Sequence, residues 1–298
     1  MIILGASGMI GRHLLAETVR RGLDAVGTFF RRPVEGLLAF DIGSGDMEDI
    51  APDLGPTDTV VVLSAMTEPD KVRAEPETSR ALNVDATIRC LASVLDAGAK
   101  VVFLSTEYVF GGAKDGHSES DERTPSTLYA RQKVEVEDYL IGRDGRWCIV
   151  RTGWNAGTGF GTRCPVEKHY EMLMAGGARI ATDNYFTLTD VEDTCRAILD
   201  LCVADKTGIY HVAANPPISR GDLAQAITGA SRHGADMKFE PIEFAALSFV
   251  EPRPRNAWLR NDKLVGELAF EFASCESTIA KRVGEIDATR QCASAVPA

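Results

Sequence analysis

The sequence has no Cys-x-x-Cys pair, no histidine cluster, no internal repeat and no low-complexity tract. Its seven cysteines (Cys90, Cys148, Cys164, Cys195, Cys202, Cys275, Cys292) are scattered and odd in number. That pattern argues against a metal site and a disulfide framework, and for a reducing compartment. No apolar run approaches the roughly 20 residues that cross a bilayer, and a stretch such as Thr59 to Ala65 has strand length only. Positive charge is scarce as well: 32 Lys plus Arg stand against 43 Asp plus Glu, a net charge of −11. A surface of that sign repels phosphate backbones and argues against nucleic acid as a partner. Small anionic substrates stay open, because a few arginines can dominate one cleft. A strand read from residue 2 carries the expectation that no signal peptide precedes it. What these absences leave is a soluble, cytoplasmic protein without membrane or metal.

The 298 residues are 45% hydrophobic and 25% charged, the balance of an ordinary globular chain with a sizeable core. The first half alternates short apolar runs with amphipathic segments, the pattern of βαβ units around a parallel sheet. Strands are predicted at 2–4, 25–29, 60–64, 100–105, 147–151 and 208–212. Helices are predicted at about 10–21, 81–97, 128–141 and 191–203, with a last one near 277–290. Asn155 to Arg163 is rich in Gly and Thr and reads as a loop or lid. The fold class is therefore α/β: a Rossmann doubly wound parallel sheet with a smaller C-terminal α+β substrate-binding lobe. The expected division gives 1–154, with about 186–213 added, to the dinucleotide domain, and 155–185 with 214–298 to the lobe.

Gly5-Ala-Ser7-Gly8-Met9-Ile10-Gly11 follows the first strand and opens a helix. Glycines there let the backbone approach a pyrophosphate, whose charge is stabilised by free N–H groups and the helix N-terminus. The segment after the second strand is Gly27-Thr28-Phe29-Phe30-Arg31-Arg32, with two cations and no carboxylate for a ribose 2′-hydroxyl. Arg31 and Arg32 would instead stabilise a 2′-phosphate, so NADP(H) is preferred while NAD(H) stays admissible. Asp41 and Ile42 are placed beside the adenine, Asp41 accepting from its amino group.

Tyr129 and Lys133 are four residues apart on a predicted helix and project from one face. A neighbouring ammonium favours the ionised phenol, which equips Tyr129 to exchange a proton with a carbonyl or alcohol oxygen. Upstream, Ser105-Thr106-Glu107-Tyr108 ends an apolar strand, and the carboxyl end of a parallel strand is where an α/β sheet places its ligands. A hydroxyl there could polarise a substrate oxygen.

Ser105 to Gly111, Tyr129-Ala-Arg-Gln-Lys133 and Arg151-Thr-Gly-Trp154 together resemble the dTDP-4-dehydrorhamnose reductase branch of the extended short-chain dehydrogenases. The segments Ser64 to Asp70, Leu82-Asn83-Val84, Asp190 to Asp193 and Arg253 to Lys263 share the resemblance, which runs from the first strand to about residue 270. It implies a catalytic triad of Thr106, Tyr129 and Lys133, the last two also touching the cofactor. It implies that Ser64, Ala65 and Met66 line the cofactor cleft, that Tyr108 and Trp154 face the sugar, and that Arg253 or Lys263 lies near the nucleotide or its phosphates. Three positions depart from the family pattern: Glu107 and Arg260 stand where Asp is usual, and Gly153 where Ser is common.

The implied activity is NADPH-dependent reduction of a keto group on a nucleotide-activated deoxysugar, by a cytoplasmic enzyme for which a homodimer is an option. Nucleotide-sugar 4,6-dehydratases place an Asp-Glu pair after the strand-end threonine; here Tyr108 replaces the second acid, which disfavours dehydration. The same branch includes the regulatory beta subunit of methionine adenosyltransferase, a dinucleotide-binding protein that acts on a partner enzyme. That subunit is the alternative reading, with a nucleotide-sugar epimerase as a third.

Overall fold

The computed structural model describes residues 1–31, 33–157 and 164–294. Seven short strands are β1 (Ile2–Leu4), β2 (Val26–Phe29), β3 (Leu38–Ala39), β4 (Thr59–Val62), β5 (Lys100–Thr106), β6 (Trp147–Thr152) and β7 (Gly208–Val212). They pair in parallel in the order β7-β6-β5-β4-β1-β2-β3. The chain winds outward from β1 in one direction to β3, then returns to β4 and winds the other way. The order reverses between β1 and β4, which opens a crevice beyond their carboxyl ends.

Period-two side-chain alternation sorts each strand between two faces. Ile3, Val61, Val102 and Val150 point to one core; Leu4, Val62, Phe103 and Ile149 point to the other. The main covering helices are α1 (Met9–Arg20), α2 (Thr87–Asp96), α3 (Leu128–Ile141) and α4 (Val191–Val203). Leu14 of α1 and Ile198 of α4 close the first core, while Leu91 and Val94 of α2 with Val136 and Leu140 of α3 close the second. The predicted bounds of α3, α4 and β7 coincide with those found. The helix expected over 81–97 differs, because Ala81–Ala86 forms a π-helical turn before α2. That turn places Asn83 against the loop after β4, and such turns recur at functional sites.

A third core joins the helices Pro165–Ala175, Arg220–Ala230 and Cys275–Ser294 through Tyr170, Leu173, Leu223, Ile227, Ile279 and Val283. The last helix is fastened to the sheet domain by Arg282, buried, which donates to Asp190 at 2.7 Å. Asp190 also caps α4 by accepting from the Glu192 N–H at 2.9 Å. The resemblance segment Asp190 to Asp193 thus has a mechanical reason: Asp193 accepts from the Ala273 N–H at 2.6 Å in the same way.

One buried ion pair fixes α3 to the sheet. Glu137 accepts from Arg151 of β6 at 2.6 and 3.0 Å and from the Ser105 hydroxyl of β5 at 2.6 Å, with both charged side chains essentially fully buried. Arg123, half-buried, also donates to Glu137 at 3.2 Å, so removing Arg151 leaves the carboxylate partly paired and costs about 3 kcal/mol, the low end for a broken buried pair. We expect Arg151→Met to lower the urea unfolding free energy by that amount. Arg143→Met, which removes an exposed pair with Asp96, should change it by less than about 1 kcal/mol. Equal effects would show that the buried pair does not anchor the helix.

Candidate active site

Three strand-end loops converge on the crevice. After β1, Gly5 adopts φ +84°, and a Cβ there would lie 2.8 Å from the Ser64 hydroxyl in the loop after β4. The Gly5 N–H donates to the buried Thr28 hydroxyl of β2 at 3.1 Å. Gly11 packs against Gly5 and Ala6 so closely that a Cβ would sit 2.6 Å from the Ala6 Cα. Gly8 differs: it is exposed, has only the Gly5 carbonyl near its absent Cβ, and precedes α1 without a side-chain cap. The first N–H groups of α1 are thus left for an anion, above a floor that tolerates no side chain. This cradle fits a dinucleotide pyrophosphate.

The remaining predicted cofactor residues are spread unevenly. The Ser7 carbonyl accepts from the Arg12 guanidinium at 3.1 Å. Met9 reaches Gly157, and both Met9 and Ile10 pack against the α1–α4 core. Arg31 stands exposed just past β2, its guanidinium 5.3 Å from the Phe30 ring; Arg32 lies outside the described residues. Asp41 ties its own turn, accepting from the Gly43 N–H at 2.9 Å and the Ser44 hydroxyl at 3.0 Å. Ile42 is buried in the core with Leu4, Phe40 and Val62, so its side chain packs the fold rather than facing a ligand.

Behind Ser64, Ala65 and Met66 runs a chain of amides. Asn83 accepts from the Met66 N–H at 2.8 Å and donates to its carbonyl at 3.0 Å and to Gln132 at 2.8 Å. Gln132 continues to Ser79 at 2.9 Å. This clamp locks the cleft loop to α3 between Tyr129 and Lys133. Asn83 and Gln132 were not among the predicted site residues, although Asn83 lay in a segment that carried the resemblance.

At the end of β5 the two adjacent hydroxyls have separate fates. Ser105 is committed to Glu137, whereas Thr106 accepts from the Tyr108 N–H at 3.2 Å and keeps its own proton for another oxygen. Thr127 caps α3 by accepting from the Ala130 N–H at 3.0 Å, and Glu251 accepts from the Leu128 N–H at 2.5 Å. Tyr129 and Lys133 follow one turn apart, both buried. The Lys133 ammonium donates to the Leu104 carbonyl at 2.8 Å and lies 4.4 Å from the Phe103 ring centroid. Burial pulls its pKa down to about 8, against the opposing pull of Glu137.

Opposite lies a mostly aromatic wall. Trp154 stacks on Phe186 at 4.1 Å and donates toward the buried Tyr108 phenol, so the two residues expected to face a sugar are in contact. Glu107 is fully buried beside Thr187, and desolvation pushes its carboxyl up to about 8, so it is protonated at neutral pH. Its space exists because residue 153 is glycine: a Cβ there would lie 2.5 Å from Glu107 Oε2 and inside contact distance of the Thr187 hydroxyl. Arg253 pairs with Asp70 at 2.8 Å and donates to the Glu251 carbonyl at 2.9 Å, bringing the late segment over the cleft loop.

Lys263 is not brought to this site. Its ammonium donates to the Ile209 carbonyl at 2.7 Å and lies 4.0 Å from the Tyr210 ring centroid. That is the start of β7, toward the end of the sheet opposite the strand-end hydroxyls, and satisfying a carbonyl there corrects its expected place near the nucleotide. Arg260 likewise pairs with Asp262 at 2.7 Å on the surface.

Comparison with known proteins places this geometry. The family model described as the RmlD substrate binding domain matches residues 1–287. The chain belongs to that family. It is 28% identical over 272 residues to dTDP-4-dehydrorhamnose reductase of Mycobacterium tuberculosis, covering 87% of this chain and 83% of the relative. It is 27% identical over 286 residues to methionine adenosyltransferase 2 subunit beta of Danio rerio, covering 89% and 83%. A crystal structure of dTDP-4-dehydrorhamnose reductase from Bacillus anthracis in complex with NADP superposes with TM-score 0.82 at 22% identity, covering 95% and 98%. In this RmlD-family chain no group of ligand side chains suited to a metal is found among the described residues, and no helix among them is long and apolar enough to cross a membrane.

Two tests follow from Glu107 and Gly153. Gly153→Ala should destabilise the protein by roughly 1–3 kcal/mol through overpacking, and adding Glu107→Asp should recover part of that loss; additive losses would break the link. Because the fold holds the Glu107 proton between pH 4.5 and about 8 while the unfolded chain releases it, stability falls as pH rises through that window. In Glu107→Gln the decline in Tm from pH 5 to 8 should shrink by a few degrees; an unchanged slope would mean the carboxyl is ionised throughout.

Proposed function

We propose that this protein reduces a keto group on a nucleotide-activated deoxysugar, with NADPH as the preferred reductant and NADH admissible. The observation that carries the reading is the buried helix pair Tyr129 and Lys133, whose ammonium reaches the Leu104 carbonyl two residues before Thr106, together with a glycine cradle fitted to a dinucleotide. The relatives named as dTDP-4-dehydrorhamnose reductases support the substrate class. Cytoplasmic location accords with six described cysteines that are all free thiols.

The cradle residues Gly5, Ser7, Gly8, Met9, Ile10 and Gly11 would hold the pyrophosphate end, with Ser64, Ala65 and Met66 along the cleft and Arg31 toward a 2′-phosphate. NADPH, when bound, supplies the reducing equivalent for the carbonyl carbon. Thr106 donates a hydrogen bond to the carbonyl oxygen and draws charge onto it. Tyr129 protonates that oxygen as it becomes an alkoxide, leaving an alcohol. Lys133 holds a positive charge one helical turn away, which favours the phenolate that Tyr129 becomes. Asn83 and Gln132 keep the cleft loop in register with this pair. Residues 155–157, 164–185 and 214–294 would form the lobe over the sugar and bring Arg253 to it, while Tyr108 and Trp154 would meet the sugar from the dinucleotide domain.

A second reading rests on the 27% identity to the methionine adenosyltransferase beta subunit. That subunit class predicts cofactor binding with a change in a partner enzyme's kinetics and no turnover. The deciding measurement is NADPH absorbance loss with a panel of nucleotide-linked 4-keto-6-deoxysugars. Turnover by the native protein is expected, with Tyr129→Phe slowed at least about 100-fold and its NADPH affinity kept. Full turnover in the variant would remove Tyr129 from the mechanism; NADPH binding without turnover in the native protein would favour the regulatory reading.

A further inference from the structure

Arg220 has no role in the fold that accounts for its charge. It is the first residue of the helix Arg220–Ala230, and it lies half-buried against the aromatic wall, its guanidinium 4.6 Å from the Trp154 ring centroid. Among the described residues its side chain makes one hydrogen bond, Nε donating to Asn184 Oδ1 at 2.5 Å. Among the described residues no carboxylate lies within ion-pair distance of it, and its neighbours by charge are Glu107, Tyr108 and Arg253. Glu107 is held in its neutral form, so it supplies no counter-charge. Buried arginines are normally paired, because an isolated guanidinium in a low-dielectric site is costly.

The geometry that presents Arg220 is itself constrained. Asn184 fixes the guanidinium by its side-chain oxygen while its amide donates to the carbonyls of Arg255 at 2.6 Å and Pro254 at 3.4 Å. One amide therefore sets Arg220 relative to the segment that carries Arg253. Arg253 already has Asp70 and the Glu251 carbonyl, and Arg255 is paired with Asp183 at 2.7 Å. Of these three arginines, Arg220 is the one whose terminal fork has no hydrogen-bond or ion-pair partner among the described residues.

We infer that Arg220 is a specificity residue that receives an oxyanion of the substrate, a phosphate or a carboxylate, through its terminal nitrogens while Trp154 backs the guanidinium. This rests on the nucleotide-sugar reading above and adds to it a residue and a charge requirement. An anion would complete the ion pair that the fold leaves open, and the planar fork matches two oxygens at once. Gly153 and the neutral Glu107 beside it keep the pocket free of a competing carboxylate.

The test titrates native protein, Arg220→Gln and Arg220→Lys, each saturated with NADPH, with thymidine and uridine diphosphate. It repeats this with the corresponding sugar conjugates bearing a methyl or a carboxylate at the last ring substituent. Arg220→Gln should weaken binding of the recognised anion roughly 10- to 100-fold and leave NADPH affinity unchanged, with Arg220→Lys intermediate because it keeps charge without the fork. Weakened nucleoside diphosphate binding assigns the phosphate. Intact diphosphate binding with loss of preference for the carboxylated sugar assigns the carboxylate. Equal affinities in native and variant proteins overturn the inference alone, and if Arg220→Gln does not fold, unchanged binding by Arg220→Lys does the same. A native protein that binds none of the probes overturns both this inference and the nucleotide-sugar reading.

Discussion

The contact on which the site depends is the buried pair of Glu137 and Arg151. Tyr129, Lys133 and Glu137 are spaced by four along α3 and form one stripe of the helix. Glu137 joins that stripe to β6 through Arg151 and to β5 through Ser105, the residue before Thr106. A single carboxylate therefore sets both the helix that carries Tyr129 and Lys133 and the strand end that carries Thr106. A hydrophobic contact could hold the same layers together, and often at less cost, but it would not fix their register. The charge count supports this view. His211 touches Arg151 at 3.4 Å, yet burial and the guanidinium hold its pKa down to about 3, so it is neutral; the second cation on Glu137, Arg123 at 3.2 Å, is balanced by Asp138 at 2.5 Å.

Glu137 also governs Lys133 at a distance of one turn. Desolvation acts to strip the lysine of its proton, and Glu137 opposes it. Across the cleft, desolvation acts on Glu107 with the opposite consequence, because an acid that keeps its proton is neutral. One force, removal of water, thus produces a reluctant cation on α3 and an uncharged acid on the far wall. Sites where an acid is raised and a base lowered toward the same pH are where proton traffic is arranged.

Most of the frame was legible because it is written locally. The apolar strands alternate with period two or run continuously, and the glycine loop sits between a strand and a helix, so β1, α1, α3, α4 and β7 could be read from neighbours in sequence. Tyr129 and Lys133 share a helix, and their spacing alone puts them on one face. What a local reading does not decide has a different cause. Ser105 and Thr106 are adjacent hydroxyls, and only the position of Glu137, far along the chain, decides which one is spent. Lys263 has a stem long enough to reach several places, and its partner is the backbone of β7, which no motif marks. Ile42 was placed beside the adenine, where the core beneath β1 and β4 claims its side chain. Asn83 acts from a π-turn, a local change of helical period that residue patterns do not report.

The same distinction separates the two halves of the cleft. The pyrophosphate cradle is made largely of backbone, and backbone shape is set by a short run of residues such as Gly5 to Gly11. The aromatic wall is made of side chains from four separated segments, at Glu107, Trp154, Thr187 and Arg220. Each of these is ordinary where it stands in the chain. Their meaning is relational: Glu107 fits only because Gly153 has no Cβ, and Arg220 keeps its terminal nitrogens unpaired because no carboxylate among the described residues, Glu107 included, lies within ion-pair distance. A substitution at one of these positions changes what the others can do, so the departures from the family pattern at Glu107 and Gly153 are one change in the wall rather than two. A wall of coupled side chains can be rebuilt for a different sugar while the backbone cradle and the Tyr129–Lys133 stripe stay as they are.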